Sequence, residues 1–275
     1  MEYINLINLK HLESIRIVEL ERVLTEIKSE KPDGSNILEI GSGSGWQAKK
    51  LAENGYSIEA IDIEESHFSE HRSWPILKYN GKHIPFPDNY FDIVFSSNVL
   101  EHIPHLKEFQ HEIKRVLKPD GIAIHVVPSG SWRFWTNIAH YVYILETIGK
   151  VLYSKIISVT DSKDYNEVEN SVVTKIKNAS KTELINKAIC PPRHGEKGTA
   201  LSEMYYFSRC GWHTIFEKTG WNIKKHCFNN LFYTGCSIFG FAISIQFRKY
   251  LSYILGSSCH IFVLAKEEIF GKHSA

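Results

Sequence analysis

A surplus of one charge sign is the first thing missing from this 275-residue chain: 32 Lys and Arg stand against 31 Asp and Glu, a formal net charge of +1. Gripping a nucleic-acid backbone by charge alone needs a basic surface, so that class is excluded and no nucleic-acid partner is expected. Cysteine is sparse and irregularly spaced. Cys190, Cys210, Cys227, Cys236 and Cys259 form no CxxC pair, which argues against a disulfide framework and a structural zinc site. A reducing, cytoplasmic compartment is expected. The N-terminus, MEYINLINLKHLESIRIVELERV, lacks an uninterrupted apolar stretch and is not expected to be a signal peptide. Internal repeats and low-complexity tracts are also missing. What is present is ordinary for a globular protein: 43% hydrophobic, 23% charged and 12% aromatic residues, the last pointing to a ring-rich core. The length fits one large domain, or one domain with an insertion.

Apolar residues Ile7, Leu12, Ile15, Val18, Val23, Leu24 and Ile27 recur at helical spacing over 5–29, and KPDG at 31–34 stops that helix. Asn36–Ile40 predicts a buried strand, 46–54 a helix capped by Gly55, and Ser57–Ile63 a second strand. Further strands are expected over 90–96 and 121–128, separated by a helix over 107–117 and a turn at 119–121. Strands alternating with helices imply an α/β fold with a doubly wound, mostly parallel sheet. Residues 129–151 are aromatic and apolar, and 158–183 are polar and lysine-rich, with mobility expected around 161–178. A helix over 202–220 and strands over 221–233 and 258–265 follow. Four segments result: an N-terminal helical segment, 1–35; a Rossmann-like core, 36–129; an inserted substrate cap, 130–200; and a C-terminal completion of the sheet, 201–275.

The stretch ILEIGSGSG, 37–45, runs from a strand into a glycine-rich turn. A ligand lies against bare backbone only where no Cβ intrudes, and glycine reaches the dihedrals such a turn needs. The spacing is GxGxG, and Trp46 stands where a dinucleotide fold places its third glycine, which opposes NAD or FAD. No Lys followed by Ser or Thr completes a Walker A loop. Asp62 ends the next strand, where a carboxylate can accept hydrogen bonds from both hydroxyls of a ribose.

Together these stretches resemble the class I S-adenosylmethionine-dependent methyltransferases, over roughly 37–129. EIGSGSG (39–45) is similar to the first motif of that family, Asp62 to its ribose-binding acid, and Asn80-Gly81 with IPFPDNYFDIV (84–94) to its adenine-contacting segment. SSNVLEH (96–102) resembles the motif after the fourth strand, and LKPDG (117–121) the turn before the fifth. The resemblance implies a seven-stranded sheet, S-adenosylmethionine as cofactor, and binding residues Glu39, Gly41, Ser42, Gly43, Gly45, Asp62, Ile63, Asn80, Gly81 and Ser97. Asn80 departs from the family, which often has Asp there; an amide both donates and accepts, so adenine recognition survives the change.

Transfer to a hydroxyl benefits from a general base. His102 is one candidate, implied by its place after the fourth strand; the alternative is a histidine packed at a helix start, with Glu101 structural. His194 and Glu196, in a loop shaped by Pro191, Pro192, Gly195 and Gly198, are the other candidates. HGE followed by SE and a Trp-containing helix resembles methyltransferases associated with glycan assembly. Trp132 and Trp135 either stack on a sugar ring or pack the insertion against the sheet, and Arg133 either holds a phosphate or carboxylate or is an exposed arginine. No metal site is expected: HEIKR at 111–115 has Arg115 where HExxH needs histidine, and His105 and His111 read as surface residues. The uncharged run 231–247 is too short to span a membrane. It is either a strand end with a buried helix, or a peripheral membrane contact over 231–256 with Arg248 and Lys249 at the head groups. The expected acceptor is a hydroxyl of a sugar or lipid-linked glycan. Alternatives are another small metabolite, a lipid headgroup, or a non-catalytic module that kept the fold.

Overall fold

The computed structural model describes residues 2–64, 72–157, 190–235 and 243–267. Helix α1 covers Glu2–Glu30 and precedes β1, Asn36–Ile40. Then come α2 (Trp46–Glu53), β2 (Ser57–Ile63), β3 (Leu77–Tyr79), β4 (Phe91–Ser97), α3 (Leu106–Val116) and β5 (Leu117–Pro128). Helices α4 (Gly130–Ile157), α5 (Glu203–Tyr206) and α6 (Arg209–Lys218) lead to β6 (Trp221–Phe228), α7 (Ile245–Leu255) and β7 (Cys259–Lys266).

The seven strands form one sheet in the order β3-β2-β1-β4-β5-β7-β6, with β7 antiparallel to both its neighbours and the pairs from β3 to β5 parallel. This is the seven-stranded Rossmann-like sheet that the sequence implies. The strand order reverses between β1 and β4, so a crevice opens beyond their carboxyl ends, the usual ligand position in such sheets. The central strands are mostly apolar because both faces are covered: Ile37, Leu38 and Ile40 of β1, Ile93, Val94 and Phe95 of β4, and Ile122 to Ile124 of β5 are buried. Helix α1 adds Ile15, Leu20, Val23 and Ile27 to this core. Its two buried acids are paired: Glu19 with Arg16, Asn229 and Tyr233, and Glu26 with Lys225 and Arg22.

Several boundaries differ from expectation for identifiable reasons. Strand β5 starts at Leu117, before the anticipated turn, because Leu117 already pairs with Phe91; the chain then bulges, and Ile122 pairs with Ile93. Strand β3 has only three residues on the sheet edge, too few to show alternation. The helix expected over 202–220 breaks between Tyr206 and Arg209. Ser208 is extended there and its Oγ accepts from the N–H of Gly211, restarting the helix as an N-cap. A Cβ on Gly211 would stand 2.4 Å from the carbonyl oxygen of Tyr205, so only glycine fits the junction. Strand β6 ends at Phe228, and Leu231, Phe232 and Tyr233 continue as a buried non-strand segment. The expected mobile stretch at 161–178 lies outside the described residues, as do 236–242 within the apolar run. Arg248 is buried and donates to the carbonyl of Phe232, so it is not a head-group anchor. No helix among the described residues is long and apolar enough to cross a membrane.

Candidate active site

The glycine-rich turn leaves the end of β1 and is fastened to β2. The N–H groups of Gly41 and Ser42 donate to the carbonyl of Ile61 at 2.9 and 3.1 Å, and the Ser42 hydroxyl donates to the carbonyls of Glu39 and Ile61. Gly41 and Gly45 have φ of +72° and +77°, in the left-handed region. A Cβ at Gly41 would meet Val99 at 2.4 Å, and one at Gly45 would meet Trp74 at 2.7 Å. The turn therefore needs glycine both for its dihedrals and for close neighbours. Trp46 opens α2 and packs partly against the core.

Asp62 stands opposite this turn. Its Oδ2 accepts from the N–H of Gly43 at 3.0 Å, and its Oδ1 from the N–H of Ile63 at 2.8 Å. An ionised carboxylate has about four acceptor positions, so two remain for ligand hydroxyls. Ile63 is 45% exposed, and Gly81 lies beside it: a Cβ on Gly81 would sit 3.5 Å from Cγ2 of Ile63. The two place an exposed apolar side chain beside backbone that carries no Cβ. Asn80 uses its Oδ1 locally, accepting from the N–H groups of Lys82 and His83 at 2.9 Å each, which leaves its amide NH2 as the group for an incoming ligand. Ser97 ends β4, its Oγ accepting from Asn98 at 3.2 Å. Beneath the turn, Glu39 is buried and its Oε2 has no hydrogen-bond partner; burial pushes its carboxyl up to about 8, with Asp62 adding to the shift.

The other side of the crevice is assembled from distant segments. Leu100–His102 forms a 3-10 turn after β4 and carries Glu101 and His102. The loop 190–200 returns beside it, with the N–H of Glu196 donating to the carbonyl of Glu101 at 2.9 Å. A Cβ on Gly195 would stand 2.8 Å from that same carbonyl, so the glycine permits the approach. The rings of His102 and His194 meet edge-on at 4.8 Å, and Trp132 packs against His194 at 4.6 Å. Nε2 of each histidine lies 3.9 Å from Oε1 of Glu101. The Glu101 side chain is fully buried, and neither of its oxygens has a hydrogen-bond partner. Burial pushes its carboxyl up to about 8, against the opposing pull of its own backbone N–H and of Arg16. Burial also lowers His102, although Glu196 and Glu203 pull it back. His194 is lowered to about 4, by burial first and then by His102 and Arg133. Both shifts favour the neutral imidazole.

Glu203, which the sequence offered only as the second residue of the SE that follows HGE, holds this side together. Its carboxylate accepts from the N–H groups of His194 and Gly195 and pairs with Arg133 at 2.8 Å. Arg133 is 2% exposed and also donates to the carbonyls of Pro192 and Ala200. Its guanidinium thus organises the loop rather than facing the crevice, and the exposed arginine offered as the alternative is overturned by its burial. Trp135 likewise turns inward, donating from Nε1 to the carbonyl of Leu255 and meeting Phe232. Glu196 is exposed and sits 3.8 Å from Arg193. His105 and His111 are exposed on and beside α3. Glu101 was visible only as a carboxylate next to His102; its meeting with His194 depends on the path of the insertion, which no local pattern encodes.

Residues 38–125 match the family model described as a methyltransferase domain. An uncharacterized methyltransferase of Mycobacterium leprae is 35% identical over 101 residues, 34% of this chain and 37% of that protein. An uncharacterized protein of Methanocaldococcus jannaschii is 33% identical over 144 residues, 52% of this chain and 51% of that protein. These alignments span well under two thirds of the curated relatives. Among solved structures, a SAM dependent methyltransferase from Aquifex aeolicus overlaps with a TM-score of 0.46 at 14% identity, covering 89% of this chain and 88% of that one. The strand order, rather than that overlap, carries the fold assignment.

Proposed function

We propose that the chain is a class I methyltransferase that takes S-adenosylmethionine and methylates a hydroxyl of a sugar or lipid-linked glycan. The observation that carries the reaction class is Asp62 held across a glycine turn at the point where the strand order reverses. The residues present fit the cofactor. The turn at 41–45 offers backbone without Cβ atoms, Asp62 keeps two acceptor positions, Ile63 and Gly81 offer an exposed apolar side chain beside bare backbone, and the unpaired Oε2 of Glu39 lies beneath. Bound there, the cofactor supplies a methyl group on a positively charged sulfur, a leaving group that departs neutral.

The chain's own task is to orient the acceptor and keep water out. His102 and His194 flank the crevice, burial favours the neutral form of each, and a neutral imidazole nitrogen can accept the proton of a hydroxyl. Trp132 braces His194, and Glu203 holds the loop that carries it. Exposed Phe247, Tyr250, Tyr253 and Ile254 on α7 support the lipid-linked form of the acceptor, because such a ridge suits a membrane interface.

Labelled S-adenosylmethionine incubated with a panel of glycans, lipid-linked sugars and small hydroxylated metabolites tests this reading. Transfer to a glycan hydroxyl supports it, transfer only to other metabolites corrects the acceptor, and failure to bind the cofactor refutes it. With cofactor saturating, His102→Ala and His194→Ala are expected to lower kcat by roughly 10²-fold or more. Full activity in both would remove the imidazoles from the reaction.

A further inference from the structure

Glu101 presents a problem that its protein neighbours leave unsolved. Its side chain is fully buried at the head of the crevice, and neither carboxylate oxygen has a hydrogen-bond partner. A buried polar group without a partner is costly, and a buried charge more so. Two imidazole nitrogens approach it, but at 3.9 Å each they are too far for a hydrogen-bonded relay, which needs about 3.2 Å or less. The ligand atoms of Glu101, His102 and His194 all lie within 4.8 Å of one another. One carboxyl and two imidazoles gathered this closely are the donor set of open zinc sites, and of the related facial sites for first-row metals. Calcium and magnesium prefer all-oxygen shells and fit less well.

We propose that Glu101, His102 and His194 bind a divalent cation of the zinc class. Ligand atoms at about 2.1 Å from a tetrahedral zinc stand roughly 3.4 Å apart. Closing the two observed 3.9 Å separations takes movements of about half an ångström, and the two histidine nitrogens, within 4.8 Å of each other, close by up to about 1.4 Å; both histidines are part-exposed and able to make these movements. Three protein ligands leave a position open. On the methyltransferase reading, an acceptor hydroxyl would take that position, acidified by the cation, and would lose its proton to water as its oxygen gains the methyl group and the donor sulfur departs as a neutral thioether; the imidazoles would then serve as ligands rather than proton acceptors. Cation binding itself does not depend on that reading.

The test uses the full chain, stripped with chelator, then titrated with zinc by calorimetry and with cobalt(II) by absorption. The expected result is one ion per chain, a cobalt spectrum of nitrogen and oxygen ligands without a thiolate band, and a melting temperature raised by zinc. His102→Ala and His194→Ala are each expected to weaken zinc binding by more than the roughly 10–100-fold lost with an outer-sphere partner. Cys190→Ser and His226→Ala should leave it unchanged. No uptake by the wild type, unaltered affinity in both histidine variants, or a thiolate spectrum would overturn the proposal. Cofactor binding measured on the same samples separates the two readings: zinc uptake without cofactor binding removes the methyltransferase reading and leaves the cation site standing. Retained cofactor affinity in His102→Ala shows that the variant is folded.

Discussion

The crevice has two walls, each with a buried carboxyl pushed up to about 8, and the walls are made in opposite ways. Glu39 lies next to the end of the central strand β1, below a turn held by backbone hydrogen bonds to the end of β2 and to Ser73. Glu101 follows the neighbouring strand β4, but the groups around it come from a loop near residue 194 and from helices α4 and α5. The first wall is fixed by local sequence and backbone hydrogen bonds. The second exists only when a buried ion pair, Arg133 with Glu203, pins the returning loop. The cofactor side is therefore expected to survive damage to the acceptor side.

The strongest challenge to that contrast is Arg133→Leu. It leaves Glu203 charged and buried, at an expected cost of about 3–5 kcal/mol, and should lower Tm by about 10 °C in calorimetry. Affinity for S-adenosylmethionine should stay within about twofold of wild type; a large loss would show that the walls are coupled. Asp62→Ala attacks the other wall. Losing hydrogen bonds to a charged group at about 1.5–3 kcal/mol each predicts at least a hundredfold weaker cofactor binding by calorimetry, and unchanged affinity would end the ribose assignment. Glu39→Gln sharpens the comparison through pH. The wild-type carboxyl binds its proton more tightly folded, near 8, than unfolded, near 4.5. Its contribution to stability is complete below about pH 4.5 and is lost as pH rises through 8. Denaturant titrations between about pH 6 and pH 9 should show the wild type losing about 2 kcal/mol relative to the glutamine variant. Parallel curves would mean that Glu39 is ionised in the fold. Ile63→Ala is the mildest: removing part of that apolar side chain should cost about 1 kcal/mol, a roughly fivefold weaker cofactor affinity.

The same contrast explains what could be read from the residues alone. Strand β1, the glycine turn, Trp46 at the start of α2 and Asp62 at the end of β2 follow one another along the chain, so their spacing carried the geometry. Strand β3 escaped because three edge residues hold no pattern. The meeting of Glu101 with His194 escaped because it is settled by where the insertion returns. Arg133 read as an anion ligand or an exposed arginine; its burial against Glu203, seventy residues on, escaped because nothing local in the sequence pairs them. The break before Arg209 turned on one serine acting as a cap, a choice that helical periodicity across 202–220 obscured.

Strand β7 inserts between β5 and β6, although both are made before it. During synthesis, β5 must wait with an open hydrogen-bonding edge until residues 259–266 have left the ribosome. The sheet is thus completed after translation of its own last strand, and a nascent chain stalled before that point would offer an apolar edge to any passing polypeptide.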